Sequence, residues 1–169
     1  VLMYVNFIFL AIFIGIGVGS SPIVSYHYGA ENHVELKSLR RKSTVIILSF
    51  SVAMFALAQF LALPLSQIFV GYDRDLLAMT CRAFRFCSFM FLFAGINIYG
   101  SAFFTALNNG LVSALISFLR TLVFQVAAVL IFPIFLELDG VWLSVVAAEI
   151  LSVFVTIVFL IGLKGKYHY

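Results

Sequence analysis

Charge is what this sequence has least of. Only 10% of its 169 residues are Asp, Glu, Lys or Arg, against about 25% in ordinary soluble proteins. So little charge excludes a chain whose whole surface meets water. Disulfide chemistry is as thinly provided for. There are two cysteines, and Cys81 and Cys87 lie i, i+6 in one apolar segment. They do not face each other on a helix and match no metal-ligand spacing, so both read as small packing residues. Three histidines, His27, His33 and His168, are scattered, with no H-x-x-x-H pair, which argues against zinc. No HExxH, nucleophile–base set or phosphate-cradling loop is present, so an enzyme reading has no support. A secretory signal is not expected: no charged residue precedes the first apolar run, and no small-residue cleavage site ends a short one. The chain starts with Val, not Met, and the expectation is a piece of a longer protein, cut near the start of a helix.

What fills the sequence is apolar. Hydrophobic residues make up 64%, and mean hydropathy is +1.17. Val1–Ala30, Ser43–Tyr72 and Phe86–Leu119 carry no Asp, Glu, Lys or Arg. Each run exceeds the roughly 20 residues that a helix needs to cross a bilayer core. Thr121–Leu136 and Gly140–Leu163 are two more apolar runs, the latter interrupted by one Glu. A membrane barrel needs alternating strands of about 10 residues, which unbroken apolar runs contradict. The expectation is an all-α membrane protein with five transmembrane helices, at about 1–27, 43–71, 76–107, 111–136 and 140–163.

Orientation follows from Lys and Arg in the short connections. Lys37, Arg40, Arg41 and Lys42 lie in the first, and Lys164 and Lys166 in the tail. The Asn108–Gly110 turn is uncharged, and the connection Glu137–Gly140 has no positive charge. The first loop, the Asn108–Gly110 turn and the C-terminus are therefore expected in the cytoplasm. Arg82 and Arg85 fall in the first turns of the third helix, on the outer side, where they snorkel or face a wet cavity. The net charge of +3 otherwise belongs to the cytoplasmic face, so nucleic acid is not an expected partner; the lipid bilayer is. The segment "ENHVELKSLRRKS" is either a solvated connector or an amphipathic helix along the headgroups.

The stretch "GIGVGSSPIVSYHYGAEN", Gly15–Asn32, looks wrong for a helix in water. In lipid, the G-x-x-x-G pair Gly15 and Gly19, with Gly17, Ser20 and Ser21, allows close helix packing, and Pro22 permits a bend. A dinucleotide fingerprint fails, because the third glycine is out of place and no soluble strand precedes it. Deep polar residues are the functional candidates. Glu149 lies mid-helix in "SVVAAEILSV", where a carboxyl group faces a bundle interior or a wet cavity. It either carries ion or substrate chemistry or bonds a neighbouring helix. Asn97, Ser101 and Thr105 follow at i, i+4 spacing on one face, as a pathway lining or as interhelical glue. Gln125 is a further lining candidate. Arg120 snorkels as an anchor or pairs. The many Phe residues face lipid or core; in a cavity they suit lipophilic cations.

Four phrases resemble one family. "PIVSYHYGAENHVELKSLRRKS" is similar to a helix end and cytoplasmic loop of multidrug and toxic compound extrusion (MATE) transporters. "LPLSQIFVGYDRDLLAMTCRAFRF" resembles their next helix end, outer turn and following helix. "GINIYGSAFFTALNNGLVSALISFLRTLVFQVAAVLIFPIF" resembles the hairpin after it, and "DGVWLSVVAAEILSVFV" the last helix. The likeness is strongest to the staphylococcal multidrug exporter branch. It implies a twelve-helix, two-lobe transporter of the bacterial plasma membrane, of which this chain supplies the last five helices, without the N-terminal lobe. It implies export of amphipathic or cationic compounds in exchange for H⁺ or Na⁺, with no cofactor. Some members carry a cation-binding Asp in the helix matching 76–107; here no acid follows Asp75, which leaves Glu149 as the deep acid. The rivals are a lipid-linked saccharide flippase of the same superfamily, which needs several cavity cations where this chain offers few, Arg120 and Arg85, and a non-transporting membrane fragment.

Overall fold

A computed structural model describes residues 2–169. The described residues form helices and short turns, with no strand. In order they are α1 (Leu2–Gly29), α2 (His33–Val70), α3 (Arg74–Ser88), α4 (Phe91–Ala106), α5 (Gly110–Phe118), a π-helical turn (Leu119–Phe124), α6 (Gln125–Gly162) and α7 (Lys164–Tyr167). The expected first helix starts at Val1, which lies outside the described residues.

In α1, Val5, Phe9, Phe13, Gly17 and Val24 are buried, an i, i+4 stripe that packs on α4. The close approach is made by Gly17, where a Cβ would sit 3.1 Å from Ala102 Cβ. Gly15 and Gly19 have no described atom within 4 Å of a Cβ. Of the small residues expected to allow close packing, Gly17 makes the contact among the described residues, and Gly15 and Gly19 do not. Residues two apart on a helix point in nearly opposite directions, so Gly15 and Gly19 turn away from the stripe that Gly17 belongs to. The helix runs through Pro22, with the Ser20 and Ser21 hydroxyls both donating to the Gly17 carbonyl at 3.0 and 2.9 Å.

The basic segment after α1 is neither a connector nor a separate surface helix. It forms the first turns of α2, which starts at His33 and not near 43. Asn32 caps it by accepting from the Glu35 amide at 3.2 Å, and Leu36 is fully buried. Nothing between His33 and Ser43 breaks helices.

The expected single helix 76–107 is bent by 45° between α3 and α4. No proline lies there; side chains disturb the ladder instead. The Ser88 hydroxyl donates to the Arg85 carbonyl at 2.7 Å. Gln59 Nε2, from α2, donates to the same carbonyl at 3.2 Å and to Ser88 Oγ at 2.8 Å. With that carbonyl engaged, the next amides take i−3 partners, Phe89 to Phe86 and Met90 to Cys87. Side-chain insertion of this kind bends helices.

Beyond Asn109, which caps α5, Gly110–Gly162 forms one apolar run of 53 residues. It folds back at Glu137, whose backbone is non-helical at φ 49° and ψ −128°. Arg120 and Glu149, 29 positions apart, are in hydrogen-bond contact; a straight helix would hold them about 44 Å apart. Gly140 lies against the Phe132 carbonyl, leaving no room for a Cβ. The expected turn at Glu137–Gly140 is thus where the chain reverses, while the expected start at 111 is joined to the rest through a π turn. Leu2–Gly29, His33–Val70 and this folded-back run are each long and apolar enough to cross a membrane, and the bent α3–α4 pair makes a fourth candidate.

The bundle is built around α4, which packs on α1, α2, α5 and α6. Gly95 and Gly100 permit this. A Cβ on Gly95 would meet Ser51 Oγ at 2.7 Å and Phe13 Cε1 at 2.9 Å, and one on Gly100 would overlap Thr156. At one end of the bundle, the C-terminal tail tucks back under the first loop. Tyr167 packs on Tyr28 with ring centres 5.7 Å apart, and Tyr169 meets Phe103 edge-on at 5.0 Å. The Arg40 guanidinium lies 5.3 Å from the Tyr169 ring centre. Burial pushes the Tyr169 phenol up to about 12, so it remains a donor, to the Leu160 carbonyl at 3.1 Å. The first loop and the tail, expected on one side, do share an end.

At the other end Arg82 pairs with Asp139, joining α3 to the reversal in α6. Arg82 and Arg85 also line an open cavity of about 490 Å³ with Arg74, Leu63, Cys81 and Phe86. The ion pair is open, with side chains 65% and 31% exposed, and exposed pairs contribute at most about 1 kcal/mol. Asp139→Asn is therefore expected to change thermal stability of the purified full-length protein by less than ~1 kcal/mol. A loss above ~2 kcal/mol would show that the pair holds α3 to α6.

A buried polar network between α4 and α6

The second arm of α6 carries Ser144, Ala148, Glu149, Ser152 and Thr156 on its buried side. Glu149 is 5% exposed. A carboxylate at that depth needs partners, and two elements, the π turn and α4, supply them. From the π turn, Arg120 Nε donates to Glu149 Oε1 at 2.8 Å, and its Nη2 lies 2.7 Å from the same oxygen in an ion pair. From α4, Asn97 Nδ2 donates to Oε2 at 2.7 Å and to the Glu149 backbone carbonyl at 3.0 Å. Thr156 Oγ1 donates to Asn97 Oδ1 at 3.0 Å. The partners fix the amide orientation of Asn97: its NH₂ must face the carboxylate, and its oxygen the hydroxyl. Asn97 is fully buried, and Gly100, one turn on, lets Thr156 come close enough to bond it.

The local sequence accounts for the geometry. Glu149 and Thr156 are seven residues apart, two turns along one helix face. Arg120 reaches them because the chain reverses at Glu137. The π turn around Arg120 adds a residue to the helical register, a local widening often found at functional positions. Arg120 is 21% exposed at its side chain, against 7% for Glu149. The guanidinium is thus the part of the network that reaches the bundle surface. Among the described residues the arrangement is one positive and one negative charge, with every polar atom of Asn97 engaged.

Of the four sequence candidates, Glu149 and Asn97 are brought together. Ser101 is not with them. It bonds Ser113 Oγ at 2.8 Å and Ser117 Oγ at 3.0 Å, and Thr105 donates to Ser113 Oγ at 2.7 Å. That hydroxyl ladder ties α4 to α5, so the stripe Asn97–Ser101–Thr105 divides between two neighbours. Gln125 is half-buried and makes no side-chain hydrogen bond among the described residues. Arg120, left open between anchor and partner, pairs. Thr156 was not singled out, although its two-turn spacing from Glu149 was there to read. No group of three His, Cys, Asp or Glu that would hold a metal occurs among the described residues. The fold does bring His33 and His168 to 5.2 Å between ring centres, against the expectation that the histidines are scattered.

The family model described as MatE matches residues 1–131. No curated protein sequence matches the chain. Among solved structures, the chain is similar to an inward-facing multidrug resistance MATE family transporter of the MOP superfamily, with a TM-score of 0.91 and 19% identity, over 98% of this chain and 39% of that one. It is similar to an outward-facing structure of such a transporter, with a TM-score of 0.88 and 19% identity, over 96% of this chain and 37% of the other. The Vibrio cholerae MATE transporter VcmN in its bent form gives 0.80 at 14% identity, over 93% and 37%. At these identities the likeness is one of fold, and the chain spans under two fifths of each of these solved chains.

Proposed function

Because the chain belongs to the MatE family, we propose that it forms the C-terminal part of a multidrug antiporter, in which amphipathic or cationic compounds leave as H⁺ or Na⁺ enters. The family is one of membrane transporters, not of enzymes. Counting the bent α3–α4 pair as one span and dividing the last run at Glu137 gives five spans, equivalent to the last five of twelve. The remaining lobe is then the partner that completes the pathway. The multi-pass chain sits in a bacterial plasma membrane with its C-terminus in the cytoplasm, as its Lys and Arg distribution favours, and its motifs favour the staphylococcal exporter branch.

One observation carries the reading: the buried carboxylate of Glu149, held jointly by the π turn and α4. An intramembrane acid bonded across helices is a natural ion or proton site, and sites between transporter halves lie near the bilayer midplane. The likeness to both inward- and outward-facing structures suits a lobe that moves largely as a body. A saccharide-lipid flippase needs several free cations for phosphates; Arg120 is taken up by Glu149, which leaves Arg85 as the one of the two expected cavity cations outside the ion pairs of the described residues. In an efflux-deficient bacterium, the full-length protein is expected to lower ethidium accumulation severalfold relative to empty vector. Unchanged accumulation of ethidium and other lipophilic cations, at verified membrane abundance, would refute drug export.

A further inference from the structure

The first turns of α2 hold unpaired positive charge on a face that continues into apolar surface. Lys37, Arg41 and Lys42 are exposed. The ion pairs found among the described residues, Arg82–Asp139 and Arg120–Glu149, involve none of them. A cavity of about 500 Å³ is lined by Val34, Lys37, Ser38, Arg41, Thr44 and Val45, with Arg40 beside them. A second, of about 530 Å³, is lined by Ser38, Arg41, Lys42, Val45 and Ile46. They share Ser38, Arg41 and Val45 and are lined by α2 alone, so they form one shallow, open groove on the face of that helix.

The two ends of that groove differ chemically. Toward the helix start it offers guanidinium and ammonium groups. Toward the span it offers Val45 and Ile46, and the same side of α2 runs on through exposed Leu48, Val52 and Phe60, with no charge before Asp73. About 12 Å of helix separates Lys37 from Val45, enough to cross a headgroup layer and enter the acyl region. A small soluble anion would use only the first part. An amphiphile with an anionic head uses all of it.

We propose that this groove binds an anionic phospholipid, its phosphate held by Lys37, Arg41 and Lys42 and an acyl chain lying along Val45 and Ile46. Basic residues at the membrane surface attract anionic lipid, and the attraction falls with salt. The assignment needs the chain to lie in a membrane; it does not need drug export. It also gives the basic turns a specific ligand, beyond setting topology.

The test uses the full-length protein in detergent, mixed with equal amounts of phosphatidylglycerol and phosphatidylcholine. Excess lipid is removed by size exclusion and the retained lipid quantified by mass spectrometry. The wild type is expected to retain phosphatidylglycerol over phosphatidylcholine by roughly tenfold, and less so in high salt. Lys37→Gln/Arg41→Gln/Lys42→Gln should bring the ratio near one, and Arg41→Gln alone should lower it. Lys164→Gln/Lys166→Gln, removing two other cations of the same end, should leave it unchanged. No preference in the wild type overturns the proposal, whatever the folding of the variants. So does a preference that survives the triple substitution, or one that falls equally in the tail variant. Displacement of the lipid by millimolar inorganic phosphate would make the groove a phosphate site instead.

Discussion

Replacing Arg120 with Met is expected to destabilise the full-length protein more than replacing Arg120 and Glu149 together. The single change leaves the Glu149 carboxylate, 5% exposed, with only Asn97 as donor. An uncompensated buried charge costs on the order of 3–5 kcal/mol, while apolar replacement of a whole buried pair is often near neutral. Thermal unfolding in detergent, followed by size-exclusion chromatography, should therefore rank wild type first, Arg120→Met/Glu149→Leu second and Arg120→Met last. A double variant no more stable than the single one would mean that the pair contributes through packing or directed hydrogen bonds. That ranking is independent of transport, so it tests the network as structure.

Enlarging Gly100 should have a comparable effect by a different route. Any Cβ there overlaps the Thr156 side chain, which itself bonds Asn97. Gly100→Leu must push α4 from α6, or rotate Thr156 away and strip Asn97 of its donor. Overpacking typically costs about 1–3 kcal/mol, and a stranded buried amide oxygen adds about 1–3 more. Loss of most folded protein from the membrane is the expected outcome. Gly100→Ala should cost less, and adding Thr156→Ala should recover part of the loss, since contacting positions are not additive. Equal stability of Gly100→Leu and wild type would mean that α4 and α6 are not packed as described.

The contrast between Glu149 and Gln125 shows how far the sequence reached. Apolar runs and charge gaps locate the long helices, because crossing lipid is a condition on composition and length. The reversal at Glu137 was legible from a cluster of polar residues between apolar runs. The bend at Ser88 was not, since it depends on Gln59 reaching from α2, a contact with no local signature. The same holds inside the site. A lone deep acid announces itself by its cost in lipid, whereas its partner depends on which way the chain turns 29 residues away. Asn97 and Ser101 look equivalent by helical spacing, yet one faces α6 and the other α5. Gly15 and Gly19 carry a packing motif, while Gly17 between them makes the contact. Periodicity identifies which residues share a face; it takes the fold to say what that face meets.

Under the proposed function the Glu149 network couples ion movement to export, which transport in liposomes tests directly. Full-length wild type and Glu149→Gln are reconstituted at equal density in liposomes. Ethidium movement is then followed under an imposed pH gradient and, separately, an imposed Na⁺ gradient. The amide keeps the size of the side chain and can still accept from Arg120 on its oxygen, but its NH₂ then faces the Asn97 donor, so the comparison is made at matched thermal stability and matched amounts of folded protein. Gradient-driven transport by wild type is expected, under one or both ions, with at least a tenfold loss in Glu149→Gln. Transport by Glu149→Gln at the wild-type rate, with the same gradient dependence, would contradict it and leave the network a structural clasp between α4 and α6.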